Sequence, residues 1–385
     1  MHDELKNELK RARIAVSLIF LIHGILVSNW LSRIPAVQTK LNIPVGILGA
    51  TLLATAAGAL IAMPLTSKLV GRFGSARVTR AFTLALCASV ALPGVAWNAP
   101  VLAVALFIYG AAAGAMDVAM NTEAVVVEHG YGRPVMVSFH ALFSFGGMIG
   151  SLMGSFAAAR AIAPHWHLLA VGVAMAIASI PICRHMLVTK SEPLPDPGST
   201  LELLRPLLGL GVVAFCILLG EGAMADWSAV YLRQFAGPAI APLGYAVFSL
   251  AMAIGRLLGD WFHLRLGSVA TLRWGGALAA LGLGSALLIG SVPATLLGFA
   301  CAGWGFAAIF PILCSVAGKK AASKPEAGIA AVTATGYFGF LVGPPIIGFL
   351  AQISSLRIAL LLVAALSAVG SAMAGIARPP RDARS

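Results

Sequence analysis

The stretch Phe145–Gly150 (FGGMIG) returns 193 positions later as Phe338–Gly343 (FGFLVG). Further pairs at this or a slightly different offset are Gly74 and Gly267, Ser75 and Ser268, Arg80 and Arg273, Leu48-Gly49 and Leu243-Gly244, and Asn29-Trp30 and Asp226-Trp227. Because the offset is about half of the 385 residues, the duplication spans the whole chain. Parallel repeats of apolar helices, with a site between them near the bilayer midplane, are typical of secondary transporters.

The composition indicates a membrane protein, since 59% of the residues are hydrophobic and only 10% are charged. A span in lipid must satisfy its own backbone hydrogen bonds, so long apolar runs are expected to be helices of about 20 residues. Twelve such runs lie near 14–34, 45–68, 79–97, 101–127, 134–158, 167–187, 206–232, 243–262, 272–291, 293–317, 327–352 and 356–376. We predict an all-α polytopic membrane protein with twelve transmembrane helices in two pseudo-symmetric six-helix bundles.

The net charge is +12, and the positions of the Lys and Arg residues along the chain indicate the membrane topology. With the N-terminus inside, only five of the 26 Lys and Arg residues fall outside: Arg33, Lys40, Arg160, Arg233 and Arg357. This positive-inside bias predicts that both termini are cytoplasmic. It also accounts for the basic charge without a nucleic-acid partner. We expect a multi-pass protein of the bacterial inner (plasma) membrane.

The polar, Pro-rich stretch 191–198 predicts a cytoplasmic linker at 188–205. It would join an N-terminal six-helix bundle at 1–187 to a C-terminal six-helix bundle at 206–385. A P-loop of the form GxxxxGK[ST] is absent from the sequence. A nucleophile–base–orienter set cannot be assembled either. We therefore expect a monomeric protein that is not an enzyme, uses no cofactor or metal, and moves its solute down a gradient or by coupling to one.

The loop after the second run resembles the loop signature of the major facilitator superfamily, Gly-x-x-x-Asp-Arg-x-Gly. Arg72 and Gly74 match it, whereas Ser67 and Gly71 stand where Gly and Asp are expected. A closer resemblance is to the branch near fucose permease that contains YbjJ-like and rhizopine-transport (MosC-like) proteins. The residues that carry it are Asp117–Glu123, His140 with Ser144–Gly146, Glu221-Gly222 with Asp226-Trp227, Thr335–Tyr337 and Phe340–Pro345. The resemblance implies a twelve-helix fold, transport of a small molecule, and a central cavity lined by spans 1, 4, 7 and 10.

Ionisable side chains inside a membrane are costly and usually mark a pathway or a proton relay. The candidates for proton coupling are Asp117, Glu123, His140, Glu221 and Asp226. Asp117 and His140 are expected at similar depth, where a carboxyl beside an imidazole suits proton exchange. The alternative is that the two form an interhelical pair which only fixes packing. Glu123 lies on a different helix face from Asp117 and could instead pair with an arginine on the inner side.

The candidate substrate contacts are polar and aromatic residues of the same spans: Asn29, Trp30, Asn121, Trp227 and Tyr337. Asn121 shares a helix face with Asp117, four positions earlier. Trp30 and Trp227 could stack on a sugar face or an organic cation. Alternatively, they belong to an interfacial aromatic belt.

The candidate gating residues are Arg33, Gly71, Arg72, Arg256, Asp260, Gly343 and Pro344. Arg33 could form an outer gate with Asp226 or extend to lipid headgroups. Arg256 and Asp260, four apart in span 8, are expected to neutralise each other. The Gly343-Pro344-Pro345 sequence is expected to interrupt and kink span 11. The glycines of spans 4, 5 and 11 suit close helix packing or a flexible gate.

These observations favour a secondary active transporter whose partners are a small-molecule substrate, protons and the lipid bilayer. The expected substrate is a small polar organic solute such as a sugar, polyol or amino sugar, moved by alternating access with proton coupling. The alternative is a proton-antiport exporter of amphiphilic or cationic compounds.

Overall fold

The computed structural model describes residues 2–187, 201–321 and 324–378, with the side chains of residues 2–5, 201–206 and 260 excluded. The helices are α1 (His2–Leu41), α2 (Val45–Phe73), α3 (Ser75–Ser89), α4 (Leu92–Val95), α5 (Ala99–Tyr131), α6 (Met136–Ala159), α7 (Pro164–Cys183), α8 (Leu201–Arg233), α9 (Leu243–Ile289), α10 (Val292–Phe306), α11 (Ile309–Lys320), α12 (Pro325–Ile353) and α13 (Leu356–Ala372), followed by the 3-10 turn Met373–Ala377. Within these ranges no β-strand is present.

The described helices supply the twelve predicted spans. Eleven are long and apolar enough to cross a membrane, and the shorter apolar helix Leu243–Gly259 is the twelfth. The second half of α9 is a separate span, because the backbone leaves helical geometry at Gly267. Helices α3 and α4 together form span 3, and α10 and α11 together form span 10. Most helices extend past the apolar runs. Their backbone hydrogen bonding thus continues beyond the hydrocarbon core of the membrane.

The duplication seen in the sequence is also visible in the backbone. Gly74 and Gly267, 193 positions apart, both have a positive φ, of 84° and 75°, with ψ at 151° and 167°. Only glycine adopts this conformation readily, and in both halves it turns one span into the next. Asn98 and Ser291, separated by the same offset, both accept a hydrogen bond at the N-terminus of the following span.

Glycine stripes bring helices together within each half. On α6, a side chain at Gly146 would collide with the Leu21 carbonyl of α1. On α12, a side chain at Gly339 would meet the Phe215 carbonyl of α8, 2.5 Å away. These glycines are therefore packing contacts, as expected of small residues in membrane helices.

The described halves meet mainly through two helix pairs, α2 with α12 and α6 with α9, with a smaller contact between α1 and α8. Since short connections join the spans, successive spans run in opposite directions. We call the face that carries Gly74 and Gly267 the termini side, and the opposite face the far side.

The bundle boundaries at 1–187 and 206–385 stay a prediction, and residues 188–200 of the predicted linker lie outside the described range. Helix α8 begins at Leu201, inside the predicted linker, where Leu-Glu-Leu-Leu favours helix.

Helix α12 runs through Gly343, Pro344 and Pro345 without interruption. The expectation that this sequence breaks span 11 is therefore wrong. Neighbouring helices in a membrane bundle allow proline inside a span, since their packing and local adjustments compensate for the missing backbone hydrogen bonds.

Candidate substrate pathway and its charged residues

Two cavities lie end to end between the halves. The far-side cavity has a volume of about 300 Å³ and the termini-side cavity about 680 Å³. Both are lined by the same five side chains, which we call the junction: Phe143, Glu221, Arg256, Tyr337 and Phe340. The junction therefore borders any path from one cavity to the other. Tyr337, a predicted substrate contact, lies in it.

Arg256 is the most highly connected side chain of the junction. Its Nη2 lies 3.8 Å from Oε2 of Glu221 on α8. Its Nη1 donates to Ser144 Oγ at 2.8 Å and to the His140 carbonyl at 3.2 Å, both on α6. One guanidinium on α9 thus binds a carboxylate of the second half and two oxygens of the first half.

The ion pair predicted between Arg256 and Asp260 stays a prediction. The carboxylate at Arg256 belongs to Glu221, which comes from another helix. Arg256 and Glu221 both line the cavities, so this pair joins two helices at the pathway. The side chain of Asp260 lies outside the described residues.

Asp117 lines the termini-side cavity and is held by Asn121. The Asn121 amide donates to the Asp117 carbonyl at 2.9 Å and to the Asp117 carboxylate at 3.1 Å. The predicted common face of the two residues is confirmed. Because both described bonds of the Asn121 amide go to Asp117, its direct role is to orient this carboxylate.

His140 lines the same cavity as Asp117. Its ring packs edge-on against Phe20, with 5.3 Å between the ring centres. No hydrogen bond between His140 and Asp117 occurs among the described side chains. The two residues therefore share a cavity, and the alternative of an interhelical packing pair does not describe them.

Asp226 and Trp30 line the far-side cavity together with Tyr109 and Tyr245. Trp30 is only 1% exposed, and Tyr109 only 2%. The Tyr109 hydroxyl has no hydrogen-bond partner among the described atoms. Trp30 thus reaches the cavity from the core of the molecule, and the alternative of an interfacial belt is wrong for it.

Two predicted substrate contacts lie elsewhere. Trp227 and Asn29 are both fully buried and line neither cavity. The Asn29 amide donates to the Ile25 carbonyl at 2.8 Å and approaches Met153 Sδ at 3.9 Å. Adjacent helix residues point about 100° apart, so the neighbour of a cavity residue turns into the packed core. The belt alternative for Trp227 is wrong for the same reason.

Glu123 is a packing residue of the first half. Its carboxylate accepts from Ser75 Oγ at 2.6 Å and from the Leu187 backbone N–H at 2.8 Å. The side chain is fully buried and lines neither cavity. Its predicted place beside the proton pathway is therefore wrong, because its face of α5 turns towards α3 and the chain after α7.

The arginine and glycine gates predicted near the helix ends do not join the halves. Arg33 is 3% exposed and donates to the Ile162 carbonyl, so it neither reaches Asp226 in a described contact nor extends to solvent. Gly71 and Arg72 are exposed, and the Arg72 guanidinium lies 5.2 Å from the Phe73 ring centre. Arg33 thus packs within its own half, whereas Gly71 and Arg72 lie at its surface.

The far-side closure is built by α2 and α12. A Cβ at Gly49 would lie 2.8 Å from the Pro344 carbonyl and 2.9 Å from the Gly348 Cα. The Gly46 N–H donates to Gln352 Oε1 at 3.1 Å. Pro344, a predicted gating residue, thus takes part in this contact, while Gly343 packs on α8, near Leu219. The sequence pattern grouped Gly348 with the other glycines of span 11, as packing or gating residues, and Leu48-Gly49 belonged to the repeat, but no pattern pointed to Gln352.

Two helical halves, with cavities between them that contain a few charged side chains, define a polytopic transport protein. The family model of the Major Facilitator Superfamily matches residues 15–326. An uncharacterised MFS-type transporter of Yersinia pestis is 36% identical over 358 residues, which are 92% of each chain. The membrane protein MosC of Rhizobium meliloti is 31% identical over 361 residues, 92% of this chain and 87% of the relative. The chain therefore belongs to the major facilitator superfamily, whose members are transporters and not enzymes.

Solved structures agree on the fold. The nucleoside transporter NupG superposes with a TM-score of 0.70 at 14% identity, over 95% of this chain and 98% of NupG. A D-xylose-proton symporter gives a TM-score of 0.69 at 14% identity, over 94% and 97% of the two chains. At this level of identity the likeness concerns the fold alone.

Proposed function

We propose that the chain is a proton-coupled secondary transporter of a small polar organic solute, of the sugar, polyol or amino-sugar type. It acts as a monomer in the bacterial inner membrane, with both termini in the cytoplasm. The observation that carries the proposal is the bridge made by Arg256, which binds Glu221 and two oxygens of the opposite half at the junction of the cavities.

The coupling follows from the cost of leaving a buried charge unpaired. Removing one partner of a buried ion pair is strongly unfavourable, because the remaining charge is uncompensated. A proton on Glu221 removes the charge that faces Arg256, and the guanidinium then needs other acceptors. Solute oxygens at the junction supply them, so proton and solute binding occur together. Asp117, exposed to the termini-side cavity, is the second candidate for proton exchange.

The structure corresponds to an inward-facing state under this assignment. The far side is closed where Gly49 meets Gly348, and the termini-side cavity reaches Met136, the first residue of α6. Rocking of the halves would separate α2 from α12 and open the far-side cavity to the periplasm.

A second function is favoured by one observation. The far-side cavity combines an acidic residue, Asp226, with largely apolar and aromatic walls. Such a site also suits an exporter of amphiphilic or cationic compounds by proton antiport. Direction discriminates between the two: export lowers the cellular content of the compound on expression and raises resistance to it.

Proton movement in proteoliposomes tests the leading proposal. Purified protein in lightly buffered vesicles would be challenged with sugars, polyols, amino sugars, amino acids and organic cations while the external pH is followed. We expect a solute-specific proton movement that is lost in Glu221→Gln or Asp117→Asn. Glu123→Gln is the matched control, because it is the same kind of change on a span but lies outside both cavities. Solute flux without protons would show a facilitator and contradict coupling.

A further inference from the structure

The far-side cavity carries one carboxylate without a described partner. Among the described residues, its charged side chains are Glu221, Asp226 and Arg256. Arg256 is matched by Glu221 at 3.8 Å, and its other bonds go to α6. Asp226 takes part in no hydrogen bond or ion pair among the described side chains. The ionised cavity therefore has one negative charge in excess.

The walls around this charge are aromatic. Trp30, Tyr109 and Tyr245 line the same cavity as Asp226, and all three rings are buried. Asp226 is partly buried, and removing an unpaired carboxylate from water is costly, so a counter-charge stabilises its ionised form. Aromatic faces attract cations, in particular ammonium groups.

Two hydroxyls in the same cavity also have no partner. The Tyr109 hydroxyl and Thr55 Oγ1 are buried without a hydrogen bond among the described atoms, and both residues line the far-side cavity. Buried hydroxyls are nearly always bonded, so these two suit hydroxyl groups of a bound molecule.

We propose that the far-side cavity binds the ammonium group of a small hydroxylated amine, with Asp226 as its counter-ion. The aromatic side chains surround the ammonium group, and the hydroxyls of Thr55 and Tyr109 bond the hydroxyls of the solute. The proposal rests on the transport function proposed above and narrows its substrate to amines.

Matched pairs of solutes test the proposal by calorimetric binding to purified protein. The probes are glucosamine with glucose, galactosamine with galactose, and 2-amino-1,3-propanediol with glycerol. In at least one pair we expect the amine to bind at least tenfold more tightly than its hydroxyl counterpart.

Asp226→Asn should lower the affinity for the amine at least tenfold and leave the affinity for the neutral solute unchanged. Asp226→Glu should restore the preference for the amine. Tyr109→Phe should weaken both members of the pair, because it removes only the hydroxyl.

Three results would overturn the proposal: equal binding within every pair, the absence of binding by any amine, or an equal effect of Asp226→Asn on amine and neutral solute. The last result would mark Asp226 as a proton site only. Glu123→Gln is the control variant and should keep the amine preference. Failure of the transport function is distinguishable, because it would appear as binding without uptake of any solute, charged or neutral, into vesicles.

Discussion

At the scale of single residues, Arg256 is the side chain on which the proposed mechanism depends most. Its planar guanidinium contacts three oxygens on two helices at the same time. A lysine keeps the charge but presents a single ammonium, which cannot reproduce this fork.

We therefore expect Arg256→Lys to lower the transport rate by at least tenfold while the protein still folds. Initial rates of solute uptake into proteoliposomes would measure the loss, with the amount of folded protein taken from size-exclusion chromatography. Ser144→Ala removes one acceptor only and should have a smaller effect. Equal rates for wild type and Arg256→Lys would show that charge alone is sufficient.

For Glu123 we predict an effect on the stability of the fold. Its carboxylate holds the Ser75 hydroxyl and the Leu187 N–H inside the first half. We expect Glu123→Ala to lower the free energy of unfolding by about 1–3 kcal/mol, because it leaves buried donors without acceptors. Thermal unfolding in detergent would show a lower midpoint, and Glu123→Gln, which keeps an acceptor oxygen, a smaller decrease. Unchanged midpoints for both variants would contradict the packing role.

At the scale of helices, the contact of α2 with α12 depends on the absence of side chains. Gly49 and Gly348 bring the two backbones together, so a larger residue would separate them. We expect Gly348→Leu to favour the state that is open on the far side. A single cysteine at Thr55, in a background without the five native cysteines, would then react faster with a membrane-impermeant maleimide added outside. An unchanged labelling rate would show that this contact does not close the far side.

The break at Gly267 gives a prediction about backbone geometry. Its φ is 75°, and a Cβ added there would meet no atom within 4 Å. The penalty of Gly267→Ala is therefore that of the backbone conformation alone, about 1–3 kcal/mol, with no clash against other residues. Thermal unfolding would measure it. Gly71→Ala, at an open helical position, is the control and should be neutral or slightly stabilising, and an equal effect of both changes would contradict the argument.

At the scale of the whole molecule, alternating access requires the halves to separate on the far side. A Cβ at Gly46 would lie 3.3 Å from the Gln352 Cβ, a separation close to that of a disulfide. We expect the pair Gly46→Cys and Gln352→Cys, without the native cysteines, to stop transport under oxidising conditions. Reduction should restore it, and each single variant should remain active. Transport by the oxidised pair would contradict the rocking movement.

The sequence predicted the architecture well, because apolar length and charge bias are properties of the chain itself. It also placed Asp117 and Asn121 on one face, since helix periodicity fixes that relation. It could not separate Trp30, which lines a cavity, from Trp227, its counterpart in the repeat, which lies in the core. That difference arises from how neighbouring helices pack around two positions that are equivalent in the duplication.

The carboxylate partner of Arg256 could not be predicted from the sequence for a related reason. Spacing offered Asp260 on the same helix, whereas the structure brings Glu221 from α8. Local spacing lists possible contacts along one helix, whereas the contact with Glu221 depends on the packing of helices far apart in the chain. The fully buried state of Glu123 likewise depends on α3 and the chain after α7, which no local pattern relates to it.

The far-side closure has an electrical consequence. Gly49, Pro344 and Gly348 meet through backbone atoms, and the adjoining bond from Gly46 to Gln352 joins neutral groups. Separating neutral surfaces moves no charge through the membrane field, so the membrane voltage does no work on this contact. Exposed neutral groups are also insensitive to ionic screening. Any dependence of transport on voltage must then originate deeper, from the transported proton or amine and from the charged residues Glu221, Asp226 and Arg256.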